Sequence, residues 1–92
     1  MTNSENERDA EAPRAAWCDQ ESLHVRLADG REIVTPLWWY PRLLAASQAE
    51  RNTIELMYSG IHWPDLDEDL SIKGMLRGAK APGATPPKEA AA

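Results

Sequence analysis

Leu23-His24-Val25-Arg26-Leu27, then Asp29-Gly30, then Arg31-Glu32-Ile33-Val34-Thr35 is the stretch on which the fold turns. Apolar and polar side chains alternate in the first run. Successive side chains of a strand point to opposite faces, so Leu23, Val25 and Leu27 share one apolar face. Asp-Gly accepts the positive φ of a two-residue hairpin turn, so the second run is expected to return antiparallel to the first. Pro36 has no N–H to donate and ends the pairing. A lone hairpin is not stable in water, so the rest of the chain must cover its apolar face.

Working outward toward the C-terminus, Leu37-Trp38-Trp39-Tyr40-Pro41 is too apolar for a free loop and leads into one expected helical turn over 42–46. Ser47-Gln48-Ala49-Glu50 has the form of a capping box, in which serine and glutamate each satisfy the other's backbone N–H. It predicts a short helix over about 48–53. Residues 53–58 read either as an extension of that helix to Leu56 or as a third strand from about Ile54. The strand is favoured, because Ser59-Gly60 is a turn signal and Ile61-His62-Trp63 can run back as a fourth strand. Pro64 stops it, and 65–69 (Asp-Leu-Asp-Glu-Asp) is expected to be an acidic loop. Ser71 or Asp69 can cap a last helix from Ile72 to Arg77, with Gly78 as its stop. The expected fold is α+β: a small ββαββα-like antiparallel meander with short helices.

Both tails differ in composition from this core. Residues 1–16 hold no Leu, Ile, Val or aromatic side chain, and 79–92 are rich in alanine and proline. Neither offers enough apolar surface to offset the entropy of ordering, so both are expected to be disordered, leaving one domain over 17–78. That domain holds all four tryptophans and the larger part of the charge of −5, ten acids against six bases between Trp17 and Arg77.

This balance excludes several classes. Phosphate backbones need clustered lysine and arginine, so direct nucleic-acid binding is not expected. No run of 18 apolar residues occurs, and the N-terminus has neither the basic nor the apolar region of a secretory signal. Cys18 is the single cysteine and cannot close an internal disulfide, which suits a cytoplasmic setting.

Few residues carry chemistry. Asp65, Asp67 and Asp69 begin a calcium-loop spacing, but its sixth and twelfth positions are Leu70 and Leu76 rather than glycine and glutamate. No metal or other cofactor is expected. His62 lies close to these carboxylates and could serve as a base, yet no nucleophile or phosphate-binding motif accompanies it, so the chain is not expected to be an enzyme. Trp38, Trp39 and Tyr40 are consecutive and cannot all enter one side of a small core, which makes them candidate interface anchors, with Arg42 able to stack on one of them.

Several segments together resemble one family. They are Asp29-Gly30-Arg31, Pro36-Leu37, Trp39-Tyr40-Pro41-Arg42-Leu43, Glu50-Arg51, Gly60-Ile61-His62-Trp63-Pro64, Leu66-Asp67-Glu68-Asp69, and Leu76 before Gly78. In this order, over Leu23 to Gly78, they are similar to the domain-of-unknown-function family 2442 of short bacterial and phage-borne proteins. Ile54 to Ser59 departs from the family's pattern, which carries more glycine there. The resemblance implies a compact α+β meander and no catalytic residues. It also implies a role beside a small protein of another uncharacterised family, numbered 4160, in a toxin–antitoxin type of module. The expected function is therefore a non-enzymatic, antitoxin-like interaction protein that occludes a basic protein partner. The expected binding residues are Trp38, Trp39, Tyr40, Arg42, His62, Asp65, Asp67 and Glu68. An inhibitor of a larger nucleic-acid-processing complex, or a nucleic-acid-associated regulator, is the alternative.

Overall fold

Two three-stranded antiparallel meanders are joined by a turn-rich segment in the computed structural model, which describes residues 9–87. The first sheet contains β1 (Pro13–Cys18), β2 (Ser22–Leu27) and β3 (Glu32–Pro36), in that order. A 3-10 turn at Leu37–Trp39, α1 (Pro41–Leu44) and α2 (Gln48–Arg51) lead to the second sheet. It contains β4 (Glu55–Leu56), β5 (Gly60–Trp63) and β6 (Glu68–Ser71), and α3 (Ile72–Leu76) follows directly. No helix among the described residues is long and apolar enough to cross a membrane.

The hairpin forms with Leu23 opposite Thr35 and Arg26 opposite Glu32. Its loop has three residues instead of two, with Leu27 N–H donating to Arg31 O (2.8 Å) and Gly30 N–H to Leu27 O (3.0 Å). Only Gly30 takes positive φ there, at 94°. Asp29 selects this form by side-chain bonding: its carboxylate accepts from the Arg31 backbone N–H at 3.0 Å and from Arg31 Nε at 2.8 Å.

The expectation that 1–16 is a disordered tail is corrected from Ala10 on: Asp29 N–H donates to Ala10 O (3.0 Å), Ala28 N–H donates to Ala12 O (2.9 Å), Ala12 is buried, and β1 follows. Residues 15–18 pair with 23–26 of β2, including Trp17 opposite His24, and a bulge separates Pro13 from Ala15. The strand is held mainly by backbone hydrogen bonds, which apolar composition does not report. Asn52 clamps its end: Oδ1 accepts from Cys18 N–H (2.9 Å), while Gln48 Nε2 donates to Cys18 O (2.8 Å). Asn52→Ala leaves a strand-end donor unpaired and should lower stability by about 1–2 kcal/mol in urea titration.

The boundary expected at Gly78 also moves outward. Ala79 N–H donates to Gly74 O, Ala81 N–H donates to Trp39 O, both at 2.9 Å, and Ala81 packs on the core. A small residue fixed by its backbone gives no compositional signal. Residues 1–8 and 88–92 of the two expected tails lie outside the described residues.

Other expectations are met closely. The Ser47–Glu50 capping box is present, and the third strand is β4, although it is only two residues long. Ser71 caps α3 by accepting from Gly74 N–H at 2.9 Å. The acidic loop is shorter than expected, because Glu68 and Asp69 pair with Trp63 and His62 in β6. The reversal is completed by Asp67 at φ 51°, a left-handed conformation that aspartate tolerates better than most side chains.

The core lies between the sheets and the joining segment. Leu23, Val25 and Leu27 meet Leu37, Tyr40 and Leu43, Ile61 and Trp63, and Ile72 and Met75. Trp63 is fully buried, and its Nε1–H donates to Arg51 O at 2.8 Å.

Candidate functional site

The 3-10 turn sends the three consecutive aromatics in different directions. Their rings meet edge to face, Trp38 to Trp39 at 6.4 Å and Trp39 to Tyr40 at 6.3 Å. Tyr40 is core, at 1% exposure, and its hydroxyl donates to Thr35 Oγ1 at 3.0 Å. Burial pushes its pKa up. Its expected role as a surface anchor is therefore corrected, because the ring completes a thin core. Trp38 and Trp39 remain half-buried. Trp39 carries the Lys80 ammonium 4.4 Å from its ring centre, and Trp38 faces a groove beside Pro36 and Leu44.

Arg42 and the acidic turn come together. Arg42 Nη1 donates to the Asp67 carbonyl (2.7 Å) and lies 4.0 Å from Glu68 Oε1. Glu68 stands opposite buried Trp63, so it is on the core side of β6. Burial raises its pKa, Arg42 opposes this, and Asp69 and Asp67 add to the rise. Asp65 and Asp67 are exposed on the turn.

His62 belongs to the other side of the same sheet. Strand alternation places Glu55, His62 and Asp69 in one cross-strand row. His62 Nδ1 and Asp69 Oδ1 are 2.7 Å apart. The Asp69 hydrogen bond raises the His62 pKa, partial desolvation opposes it, and the Asp69 and Glu55 charges add to the rise. A raised folded-state pKa gives stability that is full below the unfolded value of about 6.5 and disappears as pH rises through the folded value. Wild type should therefore have a higher Tm than Asp69→Asn near pH 5.5, with the difference vanishing toward pH 8.5. A Tm series across that range is the check, and a pH-independent difference would contradict it.

A second cluster had no place in the sequence reading. Trp17 and His24 stack at 5.2 Å with 5° between planes, and the Arg26 guanidinium lies 5.5 Å from the Trp17 ring centre. His24 Nε2–H donates to Asp19 Oδ2 at 2.8 Å. Among the described residues, His24 Nδ1 is the buried side-chain polar atom without a partner. Asp19 also accepts from Glu21 and Ser22 N–H. These bonds, Glu21's first and then His24's and Ser22's, bring its pKa down to about 2. Its stabilising contribution is thus expected above about pH 4 and lost toward pH 2, which Asp19→Asn would remove in an acid titration. Alternation with buried Cys18 is the sequence signal that places Trp17 on the outer face of the first sheet.

These clusters present rings and charges to solvent. Cys18, the single thiol, is buried, and desolvation pushes its pKa up to about 11, so it stays protonated. Among the described residues no group of three or more His, Cys, Asp or Glu could hold a metal ion. The residues expected to bind a partner divide accordingly. Arg42, Asp67 and Glu68 form one cluster next to Tyr40, Trp39 lies under Lys80, and His62 faces outward with Asp69.

Comparison with known proteins places this architecture. No curated protein matches the chain. A crystal structure of a protein of unknown function from Rhodospirillum rubrum ATCC 11170 is similar, with a TM-score of 0.69 and 27% identity, covering 79% of this chain and 93% of that one. The model of the family described as "Protein of unknown function (DUF2442)" matches residues 13–81, from the first residue of β1 to the alanine bonded to Trp39. Since that match spans most of its length, the chain belongs to the DUF2442 family.

Proposed function

We propose that this chain is a non-catalytic interaction protein that covers a basic protein partner with the acidic face of its second sheet. One observation carries the reading. While one side of β4–β5–β6 supplies Ile61 and Trp63 to the core, the other presents the Glu55–His62–Asp69 row, with Asp65 and Asp67 exposed on the adjoining turn. Clustered carboxylates steer and select a positively charged partner, and their contribution falls with salt. An antitoxin-like role, in which the face occludes a small basic toxin, is the specific form we favour.

The test is gentle recovery of the tagged full chain and its Glu55→Lys/Asp65→Lys variant from native cells. One small basic protein should accompany the wild type at low salt, and recovery should fall about tenfold in the variant or in half-molar salt, where screening shortens the reach of exposed charges. A wild-type chain recovered alone, or a partner indifferent to both changes, would contradict the proposal.

A further inference from the structure

The segment after α3 folds back over the aromatic turn. Ala79 and Ala81 donate their N–H groups to Gly74 O and Trp39 O, and Lys80 sits over the Trp39 ring. Beyond Ala81 the segment's hydrogen bonds are local, Ala84 N–H to Ala81 O at 3.2 Å and Thr85 Oγ1 to Gly83 O at 3.3 Å. Thr85 and Pro87 nevertheless form one wall of an open groove of about 480 Å³. Pro36, Trp38 and Leu44 line its apolar part, and Glu21 is the one charged residue lining it.

Residues 82–87, Pro-Gly-Ala-Thr-Pro-Pro, are half proline. Its three prolines have fixed φ and lose little entropy on docking, and tryptophan-lined grooves receive proline-bearing segments well. The chain has thus laid its own proline-bearing segment beside the half-buried Trp38, and few bonds hold it there.

We propose that the Pro36–Trp38–Leu44 groove docks an extended, proline-bearing peptide of a partner, and that residues 79–87 clasp it in cis. A partner segment takes the groove by displacing the clasp. This surface is separate from the acidic row and does not depend on the reading given to that row.

The test uses the full chain with a ten-residue proline peptide as probe, followed through the indole N–H signals of Trp38, Trp39 and Trp63. Lys80→Ala removes the cation from Trp39, and Ala81→Pro removes the N–H that binds Trp39 O. Both should shift the Trp39 and Trp38 signals. The signal of Trp63, buried and bonded to Arg51, reports an intact fold. The probe should bind the Ala81→Pro chain at least about fivefold more tightly than wild type, because releasing a cis competitor raises the competent fraction. Trp38→Ala in that background should abolish binding. If Ala81→Pro unfolds the domain, the same comparison with Lys80→Ala decides. Unchanged Trp38 signals in a folded release variant, no probe binding by that variant, or its self-association in place of binding would each overturn the proposal.

Discussion

Trp63→Ala is expected to abolish the cooperative unfolding transition of this domain. The side chain is fully buried, and its indole N–H is bonded to the Arg51 carbonyl at the end of α2. Truncation removes the largest of the fully buried side chains and leaves that carbonyl without its donor. Core tryptophan-to-alanine changes cost about 3–5 kcal/mol. In a domain of fewer than about 80 residues a single hydrophobic core rarely supplies more than about 3–5 kcal/mol in total. Circular dichroism in a urea series should therefore show a sloping, non-cooperative curve. Trp63→Phe keeps much of the volume and should retain a transition, shifted to lower urea. A near-wild-type midpoint for the alanine variant would mean that the two sheets do not share this core.

Gly60→Ala is expected to have the next largest effect, through the backbone. A Cβ at this position would stand 2.7 Å from the Leu70 carbonyl oxygen, closer than real contacts allow, and the obstacle is backbone that cannot rotate away. Gly60 pairs with Ser71, and Ile72 N–H donates to Ser59 O at 3.0 Å, so relief of the clash moves the start of α3 as well as β6. Overpacking of this kind costs about 1–3 kcal/mol. The His62–Asp69 bond lies in the same register and should weaken with it, lowering the His62 pKa toward its ordinary value in an NMR titration. Gly30→Ala provides the contrast. A Cβ there meets open space, and only its φ of 94° opposes the change, so its effect should stay near 1 kcal/mol and leave His62 unmoved.

How far the fold was legible depended on which interaction held each element. Where side-chain pattern is the cause, the reading succeeds. The alternation of β2, the Ser47–Glu50 box and the Ser71 cap are all written in residue types that act locally. Where the cause is backbone pairing with a distant partner, it fails. β1 opens with Pro-Arg-Ala-Ala, which has no large apolar side chain, and is fixed by β2 and by Asn52, which lies 34 residues from Cys18. Ala81 is fixed in the same way by Trp39 O. The candidate site divides along the same line. The acidic turn and Arg42 were visible as residues, but their joining requires the reversal at Asp67, and the pairing of His62 with Asp69 requires the β5–β6 register. Tyr40 was misplaced because adjacent aromatics say only that they diverge, not which of them turns inward. The Trp17–His24–Asp19 cluster was not visible because residues 13–16, the first part of the strand that carries Trp17, were placed in a tail.

Hydrogen exchange of the full chain, alone and with the proposed basic partner, reads out the binding face itself. Slowed exchange should centre on 55–56 and 60–69, the acidic face and its turn, and should be lost when salt releases the partner. Protection confined to 13–18 and 22–27, beneath the Trp17–His24 face, would contradict the acidic face as the binding surface.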